Sequence, residues 1–215
     1  MFKDADKKAL YDTKLEHLRI NLENNNMLCD ICENADEAKA LIKSLIEDKS
    51  SVSVGGSQTL FETGIIDMLR EMDINFMDRY QDGLTREDQM QIYRDTFNCD
   101  YYLASSNAIS MQGDLYNIDG NGNRVAAMIF GPKKVILVVG LNKICADMAD
   151  AEKHLREVAC PANNIRLHKD NPCTKIGRCV ECKTDTRICS SFVRLSKQCQ
   201  KDRIHIIVIK DYFGY

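Results

Sequence analysis

Three apolar runs in this chain each stop at a group of small polar residues and glycines, and this arrangement constrains the fold more than any other feature. The groups lie at residues 53–59, 104–108 and 139–143. In an open parallel sheet, ligands bind beyond the carboxyl ends of the strands, where helix N-termini offer unpaired N–H groups. The sequence therefore predicts one composite site for a small anionic ligand.

Strand-like and helix-like segments alternate along the whole chain. Val135–Val139 and Ile204–Ile209 are continuous apolar runs, typical of strands buried on both faces. A helical stripe of apolar residues runs from Ile144 to Val158, and we expect Pro161 to end that helix. This alternation predicts an α/β fold with a largely parallel sheet. Residues 1–26 form a predicted N-terminal helical segment, and residues 27–215 form one α/β domain.

Charge and hydropathy exclude several classes of partner. The 215 residues carry 29 basic and 32 acidic side chains, a net charge of -3, and the basic ones are spread over the chain. This distribution gives no support for nucleic-acid binding. No apolar run approaches the roughly 20 residues that span a bilayer, and the charged N-terminus is unlike a signal peptide. We therefore expect a cytoplasmic protein without a nucleic-acid or membrane partner.

Several motifs resemble the lactate-utilisation (LUD) domain family. They are Gly-Gly-Ser-Gln-Thr at 55–59, Ser-Asn-Ala-Ile at 106–109 and the Asn- and Arg-containing stretch 117–129. The similarity extends from about Leu15 to the last residues. Segment 161–167 and the cysteines after it are similar to a subgroup with a cysteine-rich C-terminal segment.

This resemblance implies a fold and a metabolic setting. The implied fold is a Rossmann-like three-layer α/β structure related to sugar-phosphate isomerases and CoA transferases, with a cysteine-rich insert at 170–190. Some members of the family belong to systems that oxidise lactate with flavin and iron–sulfur partners. The resemblance defines the fold better than the reaction, so whether the chain is an enzyme stays open.

The candidate ligand-binding residues come from the strand ends and from the glycine-rich stretch near residue 120. They are Gly55, Gly56, Ser57, Thr59, Ser106, Asn107, Asn121, Asn123, Arg124, Asn142 and Lys143. Glycines let a ligand approach the backbone, and arginine offers a fork that suits carboxylates and phosphates. One alternative is a tight turn capped by Thr59, with Glu62 completing a capping box. Another is a glycine-rich hairpin at 119–122 whose Asn and Asp residues tolerate left-handed conformations. Because Arg124 directly precedes the apolar segment 125–130, we favour a ligand or a buried-pair role for it.

Asp114 and Asp119 are the candidate general bases. Isomerase-like chemistry needs a carboxylate close to a substrate C–H or O–H group. Acidic residues in turns are also common for purely structural reasons.

Four cysteines fall within seventeen residues: Cys173, Cys179, Cys182 and Cys189. Four thiolates suit a tetrahedral zinc ion or an iron–sulfur cluster, and the sequence does not choose between these cofactors. A redox pair and thiols packed as small apolar groups are the alternatives. Cys29 and Cys32 also have CxxC spacing, but a strand would place them on opposite faces.

Three functional hypotheses follow. The preferred one is a protein that binds a small anionic metabolite of the phosphosugar, 2-hydroxy acid or CoA-ester class, with an isomerase-like or transferase-like step as an option. The second is a noncatalytic iron–sulfur or zinc accessory subunit with redox partners. The third is a sugar-phosphate-sensing regulator. Assembly as a homo-oligomer is compatible with each of them.

Overall fold

Six parallel strands form the central sheet of the computed structural model, which describes residues 4–215. In spatial order they are β1 (Leu28–Cys32), β10 (Ile204–Ile209), β7 (Lys134–Gly140), β4 (Tyr101–Ala104), β2 (Ser51–Val54) and β3 (Asn75–Met77). The two long apolar runs lie inside this sheet, and each pairs with a parallel strand on both sides. The predicted parallel α/β architecture is confirmed.

A second, smaller sheet stands beside the first. Its order is β8 (Ile144–Cys145), β5 (Ala108–Ser110), β6 (Leu115–Asp119) and β9 (Ser191–Leu195). β5 and β6 form an antiparallel hairpin, and β9 adds to the other edge of β6. Its strand β5 follows the carboxyl end of β4 after a short connection, residues 105–107.

Helices α1 (Ala5–Asn24) and α6 (Asn123–Ile129) cover one face of the central sheet, and α2 (Ala35–Leu45), α3 (Gln58–Glu62) and α4 (Ile65–Glu71) cover the other. Helix α7 (Met148–His154) packs on the second sheet. The remaining helices are α5 (Arg86–Asp95), α8 (Cys160–Arg166) and α9 (Cys173–Ile176). Leu137 of β7 packs with α1 and α6, whereas its neighbour Ile136 packs with α2, α3 and α4. Because successive strand residues face opposite sides, β7 supplies both cores, and the result is a three-layer sandwich.

The helix predicted between Ile144 and Val158 is only partly correct. Ile144 belongs to β8, and Val158 is 44% exposed rather than buried. The helix also does not end at Pro161, because a π-helical turn over Leu155–Ala159 precedes α8 and places this proline in its first turn. The proline supplies no N–H to this continuous helix, and the carbonyl of Arg156, five residues before it, accepts the N–H of Cys179 instead (2.8 Å).

Cys29 and Cys32 lie on opposite faces of β1, as the strand prediction requires. Cys29 belongs to the core beneath α1, and Cys32 belongs to the core beneath α2. Burial raises the pKa of both thiols, to about 12 for Cys29 and about 11 for Cys32. Their CxxC spacing therefore does not form a chelating pair. None of the helices in residues 4–215 has the length and hydrophobicity that crossing a membrane requires.

Candidate functional site

The three strand-end junctions predicted to converge surround one pocket, which has a volume of about 230 Å³. β7, β4 and β2 are neighbours in the sheet, so their carboxyl ends open onto the same edge. The lining includes most of the predicted ligand-binding residues: Gly56, Ser57, Ser106, Asn107, Asn121, Asn123, Arg124 and Lys143. This size falls just below the range of about 300–1,000 Å³ that is common for ligand sites, so it suits a small molecule.

Two predicted residues support the pocket from behind instead of lining it. At Gly55, a Cβ atom would lie 2.5 Å from the Tyr102 hydroxyl and 3.0 Å from Cγ of Arg124, so only glycine fits there. The side chain of Asn142 donates to the carbonyl of Gly214 (2.9 Å) and accepts from the N–H of Phe213 (3.1 Å). Asn142 thereby holds segment 211–215, which brings Tyr215 to the pocket.

Ser57 caps the helix after β2, and the expected capping box of Thr59 and Glu62 is absent. The Ser57 hydroxyl accepts the N–H of Leu60 (3.3 Å) at the start of α3. The Glu62 carboxylate accepts the N–H of Gly214 instead (2.6 Å). The cap lies two residues earlier than predicted because Thr59 is buried in the helix and faces Lys143.

Lys143 lies at the floor of the pocket with only 3% of its surface exposed. It ends a 3₁₀ turn, Leu141–Lys143, which is followed by β8. The Nζ atom donates to the hydroxyls of Thr59 (2.8 Å) and Ser105 (2.9 Å). A lysine ammonium has three N–H donors, and the third has no partner within residues 4–215.

The Lys143 amine has no carboxylate within ion-pair distance in the part of the chain that the structure describes. Burial, together with the nearby charge of Arg124, lowers the pKa of Lys143 to about 7, against a small opposing effect of Glu62. The fold thus holds a lysine whose charge changes near neutral pH and whose missing counter-ion a ligand can supply.

Arg124 has its guanidinium fully engaged inside the protein. Nη1 donates to the Ser105 carbonyl (2.8 Å) and to Oδ1 of Asn117 (2.6 Å), and Nη2 donates to Oδ1 of Asn107 (2.9 Å) and to the Ile118 carbonyl (2.9 Å). Burial lowers the pKa of this arginine. Of the ligand and buried roles that the sequence left open, the structure supports the buried one: Arg124 of α6 ties the loop after β4 to strand β6.

Asp119 lines the pocket, but both of its carboxylate oxygens already accept hydrogen bonds. They accept the backbone N–H groups of Gly122 (3.1 Å) and Val125 (3.2 Å), and one of them lies 3.7 Å from Nε of Arg124. Such a carboxylate stabilises the turn into α6 and neutralises Arg124. It is not positioned as a free general base.

Asp114 lies outside the pocket. Arg194 of β9 donates to both of its carboxylate oxygens (3.1 Å each), and the Ser110 hydroxyl donates to one of them (3.3 Å). Burial raises the pKa of Asp114, but these hydrogen bonds outweigh it and hold the pKa below its ordinary value. Asp114 lies beside the paired strands β6 and β9, away from the carboxyl ends of the central strands.

Two arginines that the sequence analysis missed stand at the pocket wall. Arg79 stacks on the rings of Tyr93 (4.4 Å) and Tyr80 (5.3 Å) and donates to the Tyr93 hydroxyl. Arg166, in the last turn of α8, donates to Oδ1 of Asn163 (2.8 and 3.2 Å). Neither forms an ion pair with a carboxylate in residues 4–215. Arg79 follows the end of β3, so applying the strand-end rule to that short strand would have found it.

The four predicted metal ligands lie together beside this pocket. Cys173, Cys179, Cys182 and Cys189 line one small cavity, and Cys160 of α8 joins them. All five are free thiols, and residues 4–215 hold no group of three or more His, Cys, Asp or Glu side chains arranged as metal ligands. Ile188 lines both this cavity and the larger pocket, so the two are neighbours.

Comparison with known proteins gives a family and a fold. The model of the LUD domain family matches residues 15–209. A DUF162 family protein from Deinococcus radiodurans has a TM-score of 0.53 at 12% identity, over 92% of this chain and 97% of that one. The match to ribose 5-phosphate isomerase from Plasmodium falciparum covers 52% of both chains at 12% identity, with a TM-score of 0.32. None of the curated proteins matches this chain.

Proposed function

This chain belongs to the LUD domain family, and we propose that its strand-end pocket binds a small anionic metabolite. The observation that carries the proposal is the buried amine of Lys143, which faces the pocket with hydroxyl partners and without a carboxylate. Burying a charged amine without a counter-ion is costly. An anionic ligand would remove that cost, and its oxygen would accept the third N–H.

The charge balance of the pocket supports an anion. Arg124 and Asp119 neutralise each other, which leaves Arg79, Arg166 and Lys143 as cations. Arginine forks bind phosphates and carboxylates in a bidentate manner. Three converging cations would create a positive potential that favours an anion over a neutral ligand.

The remaining lining indicates what else the ligand carries. Amide and hydroxyl side chains surround the cations: Ser57, Gln58, Ser106, Asn121, Asn123 and Asn163. Such groups bind hydroxyls, so we favour a hydroxylated small acid or a phosphosugar over an apolar anion. Only the acyl end of a CoA ester would enter a space of about 230 Å³. A 2-hydroxy acid such as lactate would also agree with the name of the family.

A ligand screen tests this proposal. Thermal shift and calorimetry with 2-hydroxy acids, phosphosugars and CoA esters should identify at least one class that binds in the micromolar to millimolar range. Arg79→Gln should weaken the tightest ligand about 10-fold, because one charge-assisted contact contributes about 1.4 kcal/mol or more. Arg86→Gln, an exposed arginine at the start of α5, is the matched control and should change nothing. Failure of every class to bind would refute the proposal.

The affinity for an anion should depend on pH with a defined sign. The free protein has a Lys143 pKa of about 7, and a bound anion favours the protonated amine. Affinity should therefore be constant well below pH 7 and fall by up to about 10-fold per pH unit above it. Titrations at pH 6, 7, 8 and 9 with a carboxylate ligand measure this slope, and an affinity that rises with pH would contradict the assignment.

A further inference from the structure

Five cysteines from two parts of the chain line one cavity beside the anion pocket. Cys160 comes from the first turn of α8, and the others come from segment 170–190: Cys173, Cys179, Cys182 and Cys189. The cavity has a volume of about 10 Å³, which is the space of a single small guest. Three of the thiols are almost fully buried: those of Cys160, Cys173 and Cys189.

Hydrogen-bond donors point at the sulfur atoms of this cluster. The N–H of Glu181 donates to Sγ of Cys179 (3.4 Å), and the hydroxyl of Thr184 donates to Sγ of Cys182 (3.7 Å). Donors of this kind stabilise a thiolate more than a thiol, and cysteines that ligate metals commonly have them.

Apolar packing does not explain why this loop holds its shape. Ile176 and Val180 are 57% and 41% exposed, so two of the three larger apolar side chains of the loop face solvent. Glu181, between Cys179 and Cys182, has a left-handed backbone with φ of 52°. That conformation costs a non-glycine residue about 1 kcal/mol, and it lies between two cysteines that line the same cavity.

We propose that Cys173, Cys179, Cys182 and Cys189 bind one zinc ion as a structural tetrathiolate site. Cys160, which lines the same cavity, is a positioning residue. The thiols in residues 4–215 are not arranged as metal ligands, so their side chains must rotate toward the cavity when the ion binds. Four thiolates are a common ligand set of structural zinc.

The size of the cavity favours a single ion over a cluster. A [4Fe–4S] cluster has eight atoms and would have to push the loop apart, whereas one zinc ion needs little more than the existing 10 Å³. The basic side chains of the loop, among them Arg178, Lys183 and Arg187, would offset the negative charge of a zinc tetrathiolate. Bound zinc would also fix Ile188, which forms part of the anion pocket.

Cobalt titration of the full-length, fully reduced protein under anaerobic conditions tests the site without an activity assay. Tetrahedral thiolate-bound Co²⁺ gives intense charge-transfer and d–d absorption, and zinc should then abolish it. We expect saturation at one cobalt ion per chain. Cys182→Ser should lose this stoichiometric binding, whereas Cys199→Ser, an exposed cysteine outside the cluster, should retain it. Cys160→Ala should keep the stoichiometry and bind about 10-fold more weakly.

Four results would overturn the zinc site. The first is a wild-type titration without saturable tetrahedral bands, which does not depend on any variant folding. The second is Cys182→Ser binding cobalt as the wild type does. The third is iron with acid-labile sulfide in protein purified anaerobically. The fourth is a Cys160–Cys189 disulfide in zinc-free protein from zinc-supplemented cells.

Discussion

Replacing Lys143 with methionine is expected to abolish anion binding and, at the same time, to stabilise the free protein. The amine is buried, and its pKa falls from 10.5 in the unfolded chain to about 7 in the fold. Each pKa unit corresponds to about 1.4 kcal/mol, so folding at pH 7 or below carries a penalty that methionine does not have. Methionine has a similar length and no charge, so it fills the space without needing a counter-ion.

The sign of the pH dependence separates this effect from a general change in packing. Between pH 7 and 10.5 the unfolded chain binds the lysine proton and the folded chain does not, so wild-type stability rises with pH relative to the variant. The advantage of Lys143→Met should be full below pH 7 and shrink by about 3 kcal/mol between pH 6 and pH 9.

Denaturant unfolding of both proteins at pH 6 and pH 9 measures this difference, and calorimetry with the tightest ligand measures binding. Lys153→Met, an exposed lysine of α7, is the matched control and should match the wild type in both assays. If Lys143→Met binds the anion as well as the wild type does, the role assigned to the amine is wrong.

Arg124→Met should destabilise the protein by about 3–5 kcal/mol, although it also removes a buried charge. The substitution removes one donor from each of four oxygens: the carbonyls of Ser105 and Ile118 and the side-chain oxygens of Asn107 and Asn117. The two amide oxygens keep one backbone donor each, the N–H of Ile118 for Asn107 and the N–H of Asn107 for Asn117 (both 3.1 Å). Each hydrogen bond lost from a charged donor costs about 1.5–3 kcal/mol, and the sum exceeds the relief from no longer burying the guanidinium.

Denaturant unfolding at pH 7 checks this second prediction. Arg94→Met, on the exposed face of α5, should change the free energy of unfolding by less than about 0.5 kcal/mol. Arg124→Lys should lose less stability than Arg124→Met but more than Arg94→Met, because an ammonium cannot reach the four acceptors that the planar guanidinium reaches. A loss below about 1 kcal/mol for Arg124→Met would show that the loop after β4 and strand β6 hold together without this network.

The central sheet was predictable because its strands are defined by local pattern. The continuous apolar runs of β7 and β10 allow only a strand buried on both faces, and the polar groups after β2, β4 and β7 mark where such strands end. The predicted helix end at Pro161 was wrong because a π-helical turn precedes this proline, and such a turn has no characteristic residue composition. Residue spacing therefore could not reveal that the helix continues into α8.

The site was predictable as a location but less so in its roles. The sequence identified Arg124 and Lys143 as cations near the ligand. In the structure, Arg124 hydrogen-bonds the loop after β4 to strand β6, whereas Lys143 has no carboxylate partner in residues 4–215. Only tertiary contacts distinguish these roles. Arg166 and Cys160 come from α8, far in sequence from the groups they join. Their proximity depends on how the helix packs, which no local motif encodes.

Proton uptake on binding is the most direct measurement of the central claim, that a pocket anion supplies the counter-ion of Lys143. Calorimetry at pH 8 in buffers of different ionisation enthalpy, with the tightest carboxylate of the screen, counts the protons taken up, since a carboxylate does not titrate at that pH. The account predicts uptake of nearly one proton per bound anion in the wild type, because Lys143 is mostly neutral before binding. Tight binding at pH 8 without proton uptake would contradict it.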